Sequence, residues 1–478
     1  MEICKLQNTH NQPIPRAVVV FLGWGMSAAP FYNLKKAGYD IFLLSDYADY
    51  KSGESFSPLI SALKNYAEVV VVAWSFGVRI ANDFMLQYGD RLPVTRTLAV
   101  NGTITHIDNR RGIPESVFRL TLRRMSELTV SNFIRRMFAE TSDYEVFAAK
   151  FDTSARGLES LTSELEMFGA LEVSDAPARW DIALVGERDA IFPPDNQENA
   201  WSGMTLLEKY PSWGHFPDFQ HILDRYITDK SRVGDSFSAA AYTYEQSAEP
   251  QAWVAETLWA RLCAEFETRD ERLPLEGWII EVGCGSGLLT RLYADRVNPP
   301  TLELWDLAPA GSHQWHEGAR YRQCDAEIEI AKLESESIDL ILSASAIQWF
   351  NSPSAFISRA VRALRPGGIL AVAGFGPGTL EEISSITGNS LPYIPINKLI
   401  ASAGTVGSDG LGVEILFAEE ETIIADFGSS RELIDHLRLT GVNALSRSSV
   451  GRTRQFLNSL GPHPSLTYRP YYLILRRL

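Results

Sequence analysis

Short runs of β-branched apolar residues alternate with stretches of helical periodicity through the first half of the chain. The runs at 17–22 (AVVVFL) and 69–73 (VVVVA) are continuously apolar, which is typical of parallel strands buried on both faces. Further strands are predicted at 97–100 and 182–185. Between them, residues 115–168 carry helical patterns without a strand signal, so we expect a helical cap over the carboxyl edge of a parallel sheet.

The second half repeats this alternation after a polar interruption. Residues 228–236 (TDKSRVGDS) lack periodicity and contain a glycine, and they are interpreted as a linker between a domain at 1–227 and a domain at 237–478. A helix over about 249–267 precedes strands predicted at 278–282, 302–305, 338–343 and 369–374. Both halves therefore predict the α/β class, and no internal repeat relates them.

Length and charge narrow the possible functions. A chain of 478 residues fits two domains of ordinary size. With 44 basic and 59 acidic residues, the net charge of −15 argues against general binding to nucleic acid or anionic membranes. The four cysteines lack metal-ligand spacing and predict reduced thiols. Without an apolar signal core or a bilayer-spanning run, the sequence predicts a cytoplasmic protein.

Residues 69–78 (VVVVAWSFGV) combine a buried strand, a tight turn at Ser75 and the start of a helix. This pattern predicts a nucleophile elbow, in which small neighbours such as Ala73 and Gly77 avoid clashes and the serine hydroxyl is exposed at the sheet edge. The Phe76 amide would then face a developing oxyanion. An ordinary structural turn is the alternative, and the four-valine strand before it favours the nucleophile.

A serine nucleophile needs a base and a carboxylate that orients the base. Asp189 follows the strand predicted at 182–185, and His215 follows the next strand, predicted at about 205–207, so the order is Ser, Asp, His, as in α/β-hydrolases. Either residue alone could be a loop residue with a structural role, and His106 and His221 are competing histidines. The joint occurrence in this order favours Asp189 and His215.

A second oxyanion donor is expected where the first buried strand ends. Residues 22–25 read LGWG, and the amide of Trp24 or of a neighbour would serve this role. A glycine-rich turn from strand to helix is the alternative interpretation, and it is compatible with the same function.

A glycine-rich loop follows the first strand of the second half. Glu281, Gly283, Gly285 and Gly287 form the pattern E-x-G-x-G-x-G, which differs from the G-x-G-x-x-G of dinucleotide folds. Glycines allow the backbone to approach a cofactor closely, and the glutamate can accept hydrogen bonds from its polar groups. The spacing favours S-adenosylmethionine, which has no pyrophosphate for a helix N-terminus to bind.

Three further positions follow in the order that a Rossmann-like methyltransferase requires. Asp306 ends the next strand and is assigned to the ribose hydroxyls, Asp325 to the adenine amino group, and Ser343 opens the segment beside the sulfonium. Residues 365–368 (RPGG) predict a tight turn before the fifth strand. A nicotinamide enzyme competes with this interpretation. Methyl transfer from a sulfonium to a carboxylate needs mainly alignment, so no metal is expected.

Several motifs in the second half resemble a known family. Residues 237–244 (FSAAAYTY), Gln251, 325–327 (DAE), 346–349 (AIQW) and 440–443 (TGVN) are similar to the malonyl-[acyl-carrier protein] O-methyltransferases of biotin synthesis. The resemblance implies a class I, Rossmann-like fold and cofactor contacts at Tyr244 and Ala326. Glu281 stands where this family often has aspartate, and Ser286 where it often has threonine.

The first half resembles the pimeloyl-[acyl-carrier protein] methyl ester esterases. The similarity lies in residues 23–25 (GWG), 74–77 (WSFG), 186–189 (GERD) and 214–217 (GHFP). It implies an α/β-hydrolase with a helical cap, in which Ser75 is the nucleophile, Asp189 the acid and His215 the base, with oxyanion amides at Trp24 and Phe76. Ala73 departs from the glycine of general esterases.

The two resemblances together imply one pathway with acyl-carrier protein as the partner. Methylation would hide a carboxylate that is costly to bury during chain elongation, and hydrolysis would later release it. A basic surface on the cap could steer an acidic carrier protein, although an ordinary solvated helix face is the alternative. The arginines concerned are Arg110, Arg111, Arg119, Arg123, Arg124, Arg135 and Arg136. A hydrolase joined to a C-methyltransferase of quinone synthesis, or a degenerate scaffold domain, remain alternatives.

Overall fold

The computed structural model describes residues 1–6, 16–51, 54–151, 156–172, 176–297, 302–309, 318–387, 390–404, 412–439 and 463–478, without the side chains of 240–247. Contacts between residues divide the chain into two compact units, Met1–Ile227 and Thr228–Leu478. Each unit contains a seven-stranded sheet. The α/β class predicted for both halves is therefore confirmed.

The sheet of the first unit has the strand order β1-β3-β2-β4-β5-β6-β7. Only the edge strand β1 is antiparallel to its neighbour, and the remaining pairs are parallel. The central strands β2 and β4 are almost completely buried, as their continuous apolar sequences predict. The strands are β1 (Glu2–Lys5), β2 (Arg16–Phe21), β3 (Asp40–Ser45), β4 (Glu68–Trp74), β5 (Val94–Val100), β6 (Ile182–Gly186) and β7 (Leu206–Tyr210).

Four helices lie between β5 and β6, where the sequence predicts a helical insertion. They are α3 (Glu115–Arg123), α4 (Glu127–Arg136), α5 (Thr141–Lys150) and α6 (Leu158–Ala170). Phe168 of α6 stacks on Phe76, with ring centroids 4.6 Å apart, so this insertion packs over the carboxyl end of β4. The other helices of the unit are α1 (Ser57–Leu63), α2 (Gly77–Tyr88), α7 (Pro194–Trp201) and α8 (Phe219–Tyr226).

The main sheet of the second unit has the order β10-β9-β8-β11-β12-β16-β13, and β14 and β15 form a separate pair. Strands β8 to β12 pair in parallel, whereas β16 is antiparallel to both of its neighbours. The strands are β8 (Ile279–Val282), β9 (Leu302–Asp306), β10 (Arg320–Gln323), β11 (Ile338–Ala344), β12 (Leu364–Phe375), β13 (Val413–Glu420), β14 (Ile423–Asp426), β15 (Ser465–Tyr468) and β16 (Pro470–Arg477).

Eight α-helices are described in this unit. They are α9 (Lys230–Ser247), α10 (Glu249–Thr268), α11 (Thr290–Tyr293), α12 (Ala326–Glu329), α13 (Pro353–Ala363), α14 (Glu381–Thr387), α15 (Ile396–Gly404) and α16 (Ser430–Leu439). The helix α10 agrees with the pattern at 249–267. The motif at 440–443 lies outside the described residues.

The linker expected at 228–236 is wrong, because helix α9 begins at Lys230. Lys230, Val233, Gly234 and Phe237 follow the i, i+3, i+4, i+7 spacing of one helix face. Lys230 and Val233 are 3% and 6% exposed, so this face is the buried one. Two positions of this buried face are a lysine and a glycine, so the sequence does not show an apolar period. The lysine can be buried because it pairs with buried carboxylates.

The structure also differs from the prediction that residues 365–368 form a tight turn before the fifth strand. These residues belong to β12, which starts at Leu364 and pairs with Ile338 of β11. Gly367 adopts a φ of +80°, and the register of the two strands shifts between Ile338 and Leu340. In the described structure residues 365–368 pair with no residue of β11, because the register passes from Ile338–Leu364 to Leu340–Ile369, so the predicted turn is present as an enlarged β-bulge within the strand.

Candidate active sites

Ser75 lies in a strained turn between β4 and α2. Its φ is +58°, in the left-handed region that side-chain-bearing residues rarely adopt. The turn is enclosed by backbone, because a Cβ on Gly77 would lie 2.4 Å from the Phe21 carbonyl oxygen and one on Gly102 2.3 Å from that of Ser75. Small residues at these positions therefore allow the elbow that exposes the serine hydroxyl toward its partners.

Ser75, His215 and Asp189 form one chain of hydrogen bonds. His215 Nε2 lies 2.9 Å from Ser75 Oγ, and His215 Nδ1 lies 2.9 Å from Asp189 Oδ2. All three residues are buried, with 2%, 0% and 5% exposure respectively. The three strand ends predicted from the sequence thus bring together a hydroxyl, an imidazole and a carboxylate in the order that serine hydrolysis requires.

The Asp189 carboxylate is held by donors that the sequence did not identify. Its Oδ1 accepts hydrogen bonds from the amides of Ile191 and Phe192, at 2.8 and 2.9 Å, and its Oδ2 accepts one from Gln197 Nε2 at 3.1 Å. These donors fix the orientation of the Asp189 carboxylate, so that its Oδ2 can accept a hydrogen bond from Nδ1–H of His215.

The position of His215 is fixed from both sides. Its carbonyl oxygen accepts hydrogen bonds from Trp74 Nε1 at 2.8 Å and from Asn101 Nδ2 at 3.0 Å. The Phe192 ring stacks on the imidazole with an interplanar angle of 7°. Asn101 and Phe192 are distant in sequence from the histidine, and no motif relates them to it. These contacts hold the imidazole between the serine and the aspartate.

Two backbone segments lie next to Ser75. Phe76 directly precedes helix α2, and a Cβ on Gly23 would lie 3.2 Å from Ser75 Oγ, so the loop carrying Trp24 is close to the nucleophile. Among the described residues, neither the Phe76 nor the Trp24 amide donates to another group of the chain.

The competing histidines have other environments. His106 Nε2 lies 2.9 Å from the Phe168 carbonyl oxygen, and burial lowers the pKa of His106 to about 4. His221 belongs to α8, with its ring beside Tyr210 and Trp213. Of the three histidines, only His215 reaches both Ser75 and Asp189 within the described part of the structure.

A cavity of about 270 Å³ opens in the second unit where β8, β9 and β11 end. The predicted residues Glu281, Gly283, Gly285, Asp306 and Ala326 line it. Trp349, which ends the segment predicted beside the sulfonium, also lines it, and so do residues that sequence reasoning did not assign to the cofactor, which are Val233, Phe237, Gln251, Leu307 and Tyr321. Phe237, Gln251 and Trp349 belong to the motifs that resemble carrier-protein methyltransferases, and this was the signal that could have located them.

The glycines of the loop have separate tasks. Gly283, Gly285 and Gly287 all have positive φ, at 71°, 52° and 83°. A Cβ on Gly283 would lie 2.2 Å from the Ala346 Cβ, whereas one on Gly285 would meet no atom within 4 Å. Gly287 donates its amide to the Cys284 carbonyl and is not among the cavity-lining residues. Gly283 thus permits a close approach of two loops, and Gly285 leaves space open.

Two carboxylates lie at this cavity, the buried Glu281 and the half-buried Asp306. Glu281 Oε2 accepts hydrogen bonds from Thr290 Oγ1 at 2.8 Å and Tyr293 OH at 2.5 Å, and burial raises its pKa to about 7 against these donors. Asp306 accepts the amides of Gly285 and Ala308, each at 2.8 Å, and burial raises its pKa. Both lie on strands β8 and β9, as predicted.

Three other residues that the sequence assigns to the cofactor are not among the described residues that line the cavity. Asp325 caps helix α12 by accepting the Glu327 amide at 3.1 Å, and its neighbours Cys324 and Ala326, rather than Asp325, line the cavity. Ser343 is fully buried and donates its hydroxyl to the Val282 carbonyl oxygen at 2.9 Å, so it joins β11 to β8 rather than lining the cavity. Tyr244 lies in α9, and its side chain is outside the described part of the structure.

Some polar side-chain atoms in the cavity wall have no hydrogen-bond partner among the described residues. Gln251 Oε1, Ser286 Oγ and Ser345 Oγ are buried, line the cavity and have no hydrogen-bond partner among the described residues. Unpaired buried polar atoms are costly and indicate a polar ligand. A cofactor that combines hydroxyls, an ammonium and a carboxylate, as S-adenosylmethionine does, fits this set of acceptors, hydroxyls and open glycines.

Lys230 is a residue of this site that the sequence interpretation missed. Its Nζ lies 2.6 Å from Glu327 Oε2 and 3.7 Å from Asp325 Oδ1, and 4.7 Å from the centre of the Phe350 ring. The next turn of the same helix supplies Val233 and Gly234 to the cavity wall. The lysine therefore fixes the first turns of α9 against the cavity.

No group of three or more His, Cys, Asp or Glu side chains in the described ranges is arranged to hold a metal ion. No helix in the same ranges has the length and apolar character needed to cross a bilayer.

Fold and geometry define the class of protein: an α/β-hydrolase with a Ser-His-Asp chain, and a Rossmann-like methyltransferase. The family model described as "Pimeloyl-ACP methyl esterase BioG" matches residues 6–223, and that described as "Methyltransferase domain" matches residues 280–372. The methyltransferase domain implies the use of S-adenosylmethionine. A crystal structure of BioG from Haemophilus influenzae is similar at 26% identity, covering 45% of this chain and 94% of that one, with a TM-score of 0.38.

Curated relatives specify the family. A "Malonyl-[acyl-carrier protein] O-methyltransferase" of Bacteroides fragilis (strain 638R) is 30% identical over 482 residues, covering 96% of this chain and 93% of that protein. A "Biotin biosynthesis bifunctional protein BioCD" of Bordetella avium (strain 197N) is 38% identical over 161 residues, 33% of each chain. This chain belongs to the malonyl-[acyl-carrier protein] O-methyltransferase family, with a BioG-type methyl esterase domain in its first half.

Proposed function

We propose that the chain is a bifunctional enzyme of biotin-precursor synthesis. The second unit methylates the free carboxylate of malonyl-[acyl-carrier protein], and the first unit hydrolyses the methyl ester of pimeloyl-[acyl-carrier protein]. The observation that carries the esterase half is the hydrogen-bond chain from Ser75 through His215 to Asp189. Family membership favours this pairing over a hydrolase and C-methyltransferase of quinone synthesis.

Ester hydrolysis proceeds in two steps at the triad, which are acylation of Ser75 and hydrolysis of the acyl-enzyme. Ser75 Oγ bonds to the ester carbonyl carbon while its proton passes to His215 Nε2, and the amides of Trp24 and Phe76 donate to the resulting oxyanion. His215 returns the proton to the departing methoxy group, which leaves as methanol. Water then attacks the acyl-enzyme by the same route and releases the free acid, with Asp189 stabilising the protonated imidazole in both steps.

In the second unit the residues bind and align rather than exchange protons. S-adenosylmethionine supplies an activated methyl group, and transfer to a carboxylate requires mainly alignment and exclusion of water. Gly285 leaves room for the cofactor, Glu281 and Asp306 are the carboxylate acceptors for its polar groups, and Gln251 offers an unpaired carbonyl oxygen. No metal has a part in this scheme.

The two reactions are compatible on one chain because their substrates differ in length. A free carboxylate is costly to transfer into the apolar tunnels of acyl-chain elongation. Methylation before elongation removes that charge, and hydrolysis after elongation restores it. A methylase and an esterase acting on the same substrate would cancel each other.

The cap offers a surface for an acidic carrier protein. Arg123 and Arg124 at the end of α3 and Arg135 and Arg136 at the end of α4 are exposed. Opposite charge would steer the carrier toward the esterase site. Reversing the charges of Arg123 and Arg124 should reduce turnover of a carrier-linked ester and spare a small nitrophenyl ester. Equal loss on both substrates would contradict the steering.

Genetic complementation tests the whole proposal. The chain should restore biotin-free growth to a methylase-deficient host and, separately, to an esterase-deficient host. Ser75→Ala should abolish only the esterase rescue, whereas Asp306→Ala should abolish only the methylase rescue. Rescue of neither host by the unaltered chain would reject the pathway assignment, and loss of both rescues by one variant would point to misfolding instead of separate sites.

A further inference from the structure

A buried carboxylate on the cap contacts the backbone of the esterase core. Glu164 of α6 is 0% exposed, and the hydrolytic steps described above do not use it. Its Oε2 accepts the amide of Gly25 at 3.1 Å, and its Oε1 accepts the amide of Tyr47 at 2.9 Å. Gly25 follows Trp24 in the loop after β2, and Tyr47 lies in the loop after β3. One side chain thus joins a cap helix to two core loops.

Arg156 is the counter-charge of this buried carboxylate. Its Nη1 lies 2.6 Å from Glu164 Oε2, and its Nη2 lies 2.8 Å from Asp46 Oδ1, beside Tyr47. Hydrogen bonds to a charged acceptor are shorter and stronger than neutral ones. Burial raises the pKa of Glu164, and the Arg156 guanidinium opposes that rise, so this ion pair makes Glu164 a better acceptor for the two amides.

The same helix contacts the oxyanion loop at a second point. Trp24 Nε1 donates to the Leu161 carbonyl oxygen at 2.9 Å, three residues before Glu164 in α6. On the opposite side of the loop, Gly23 lies against Ser75, since a Cβ there would approach the Ser75 Cβ to 2.8 Å. Residues 23–25 are therefore held between the nucleophile and α6, and the Trp24 amide lies within this held segment.

We infer that Glu164 is a positioning residue for ester hydrolysis. It holds residues 23–25 so that the Trp24 amide faces the oxygen that becomes negative during attack by Ser75. The inference rests on the proposed esterase function, and it adds that the oxyanion site is complete only while α6 of the cap is in place. Because an oxyanion contact strengthens in the transition state, its loss lowers kcat more than it raises KM.

The test compares Glu164→Gln with Glu166→Gln in the full chain, using a short methyl or nitrophenyl ester. Glu166 lies on the same helix and is exposed, so it matches the chemical change without the contacts. Removal of one oxyanion donor costs about 100- to 1000-fold in kcat, and displacement of a donor should cost less, about 10- to 100-fold. We expect that loss for Glu164→Gln, KM within about twofold, and no change for Glu166→Gln.

A second measurement separates positioning from general damage to the fold. A trifluoromethyl ketone adds to Ser75 and places an oxyanion in the same site, so Glu164→Gln should weaken its binding by the same factor as kcat. Glu164→Asp retains the charge beside Arg156 but withdraws the acceptor by one carbon–carbon bond. It should show the same pattern if Glu164→Gln does not fold.

The outcomes are distinguishable from failure of the proposed function. If Ser75→Ala still hydrolyses the ester, the esterase assignment at this serine is wrong. If Ser75→Ala is inactive while both Glu164 variants fold and match Glu166→Gln in kcat and in ketone affinity, only the positioning role is wrong. A rise in KM with unchanged kcat would also overturn it.

Discussion

Replacing Lys230 with methionine would test whether α9 is fixed to the methyltransferase unit by charge. Methionine retains most of the length and apolar stem of lysine but not the ammonium. The change leaves Glu327, which is 2% exposed, and Asp325, which is 9% exposed, without the cation that lies 2.6 and 3.7 Å from them. Two carboxylates would then share a buried site.

The magnitude follows from the contacts that remain. Removing one partner of a buried ion pair costs about 3–5 kcal/mol. Glu327 would keep two hydrogen bonds, from the amides of Asn351 and Ser352 at 2.8 Å each, so the lower value applies. In a unit of this size 1 kcal/mol lowers the Tm by about 2–4 °C, so we expect the Tm to fall by about 6–12 °C.

Differential scanning calorimetry of the full chain would measure this effect. The transition of the second unit is the one that added S-adenosylmethionine raises, because a ligand stabilises the unit that binds it. Lys332→Met is the matched control, since Lys332 pairs with Glu329 at 2.5 Å while 60% of its side chain is exposed. Exposed pairs contribute about 0–1 kcal/mol, so this control should change the Tm little.

Two results would refute the reasoning about Lys230. One is an unchanged transition, or a shift no larger than that of Lys332→Met. The other is failure of the double variant Lys230→Met with Glu327→Gln to recover part of the lost stability, because removing the second charge should relieve the buried repulsion. The affinity for S-adenosylmethionine should fall with Lys230→Met, since α9 lines the cavity.

Three further predictions concern single residues. Gly283→Ala should lower the calorimetric transition of the second unit, because its Cβ would lie 2.2 Å from another Cβ, whereas Gly285→Ala should cost the unit only the left-handed φ, about 1–2 kcal/mol, but should weaken S-adenosylmethionine binding by filling open space. Because burial raises the pKa of Glu281 to about 7, the carboxyl gains its charge between pH 6 and 8, so titration calorimetry should show tighter cofactor binding as pH rises and Glu281→Gln should remove that dependence. Asn101→Ala should lower esterase kcat at least about tenfold by releasing the His215 carbonyl, and an unchanged rate would contradict this role.

The triad and the glycine loop could be predicted from the sequence because the backbone conformations they need depend on neighbouring residues. A serine at φ +58° needs small neighbours, and a loop with three positive φ values needs glycines, so each leaves a fixed spacing in the sequence. The order of strands then orders Asp189 and His215 after Ser75. Continuous apolar runs likewise indicated the buried strands β2 and β4, since a strand covered on both faces leaves little place for polar residues.

The residues that hold the triad in position could not be predicted from the sequence in this way. Asn101 and Gln197 act on His215 and Asp189 through contacts between separate strands and helices, and nothing in their local sequence indicates a partner. Ser343 shows the reverse error, because its place at the end of β11 suggested the cofactor while its hydroxyl bonds to the neighbouring strand. The alternation of side chains along a strand depends on a register that only the folded sheet determines.

Taken by itself, the sequence determined the two α/β folds, the elbow, the glycine loop and the order of the reactive groups, because backbone sterics and apolar burial act over a few neighbouring residues. Tertiary structure alone decided that 228–236 is helical, that Lys230 is buried and that Glu164 reaches the oxyanion loop. The burial of a charged side chain depends on partners that are far away in the chain. From the sequence alone a lysine or glutamate is expected at the surface, because its counter-charge and hydrogen-bond donors are not known.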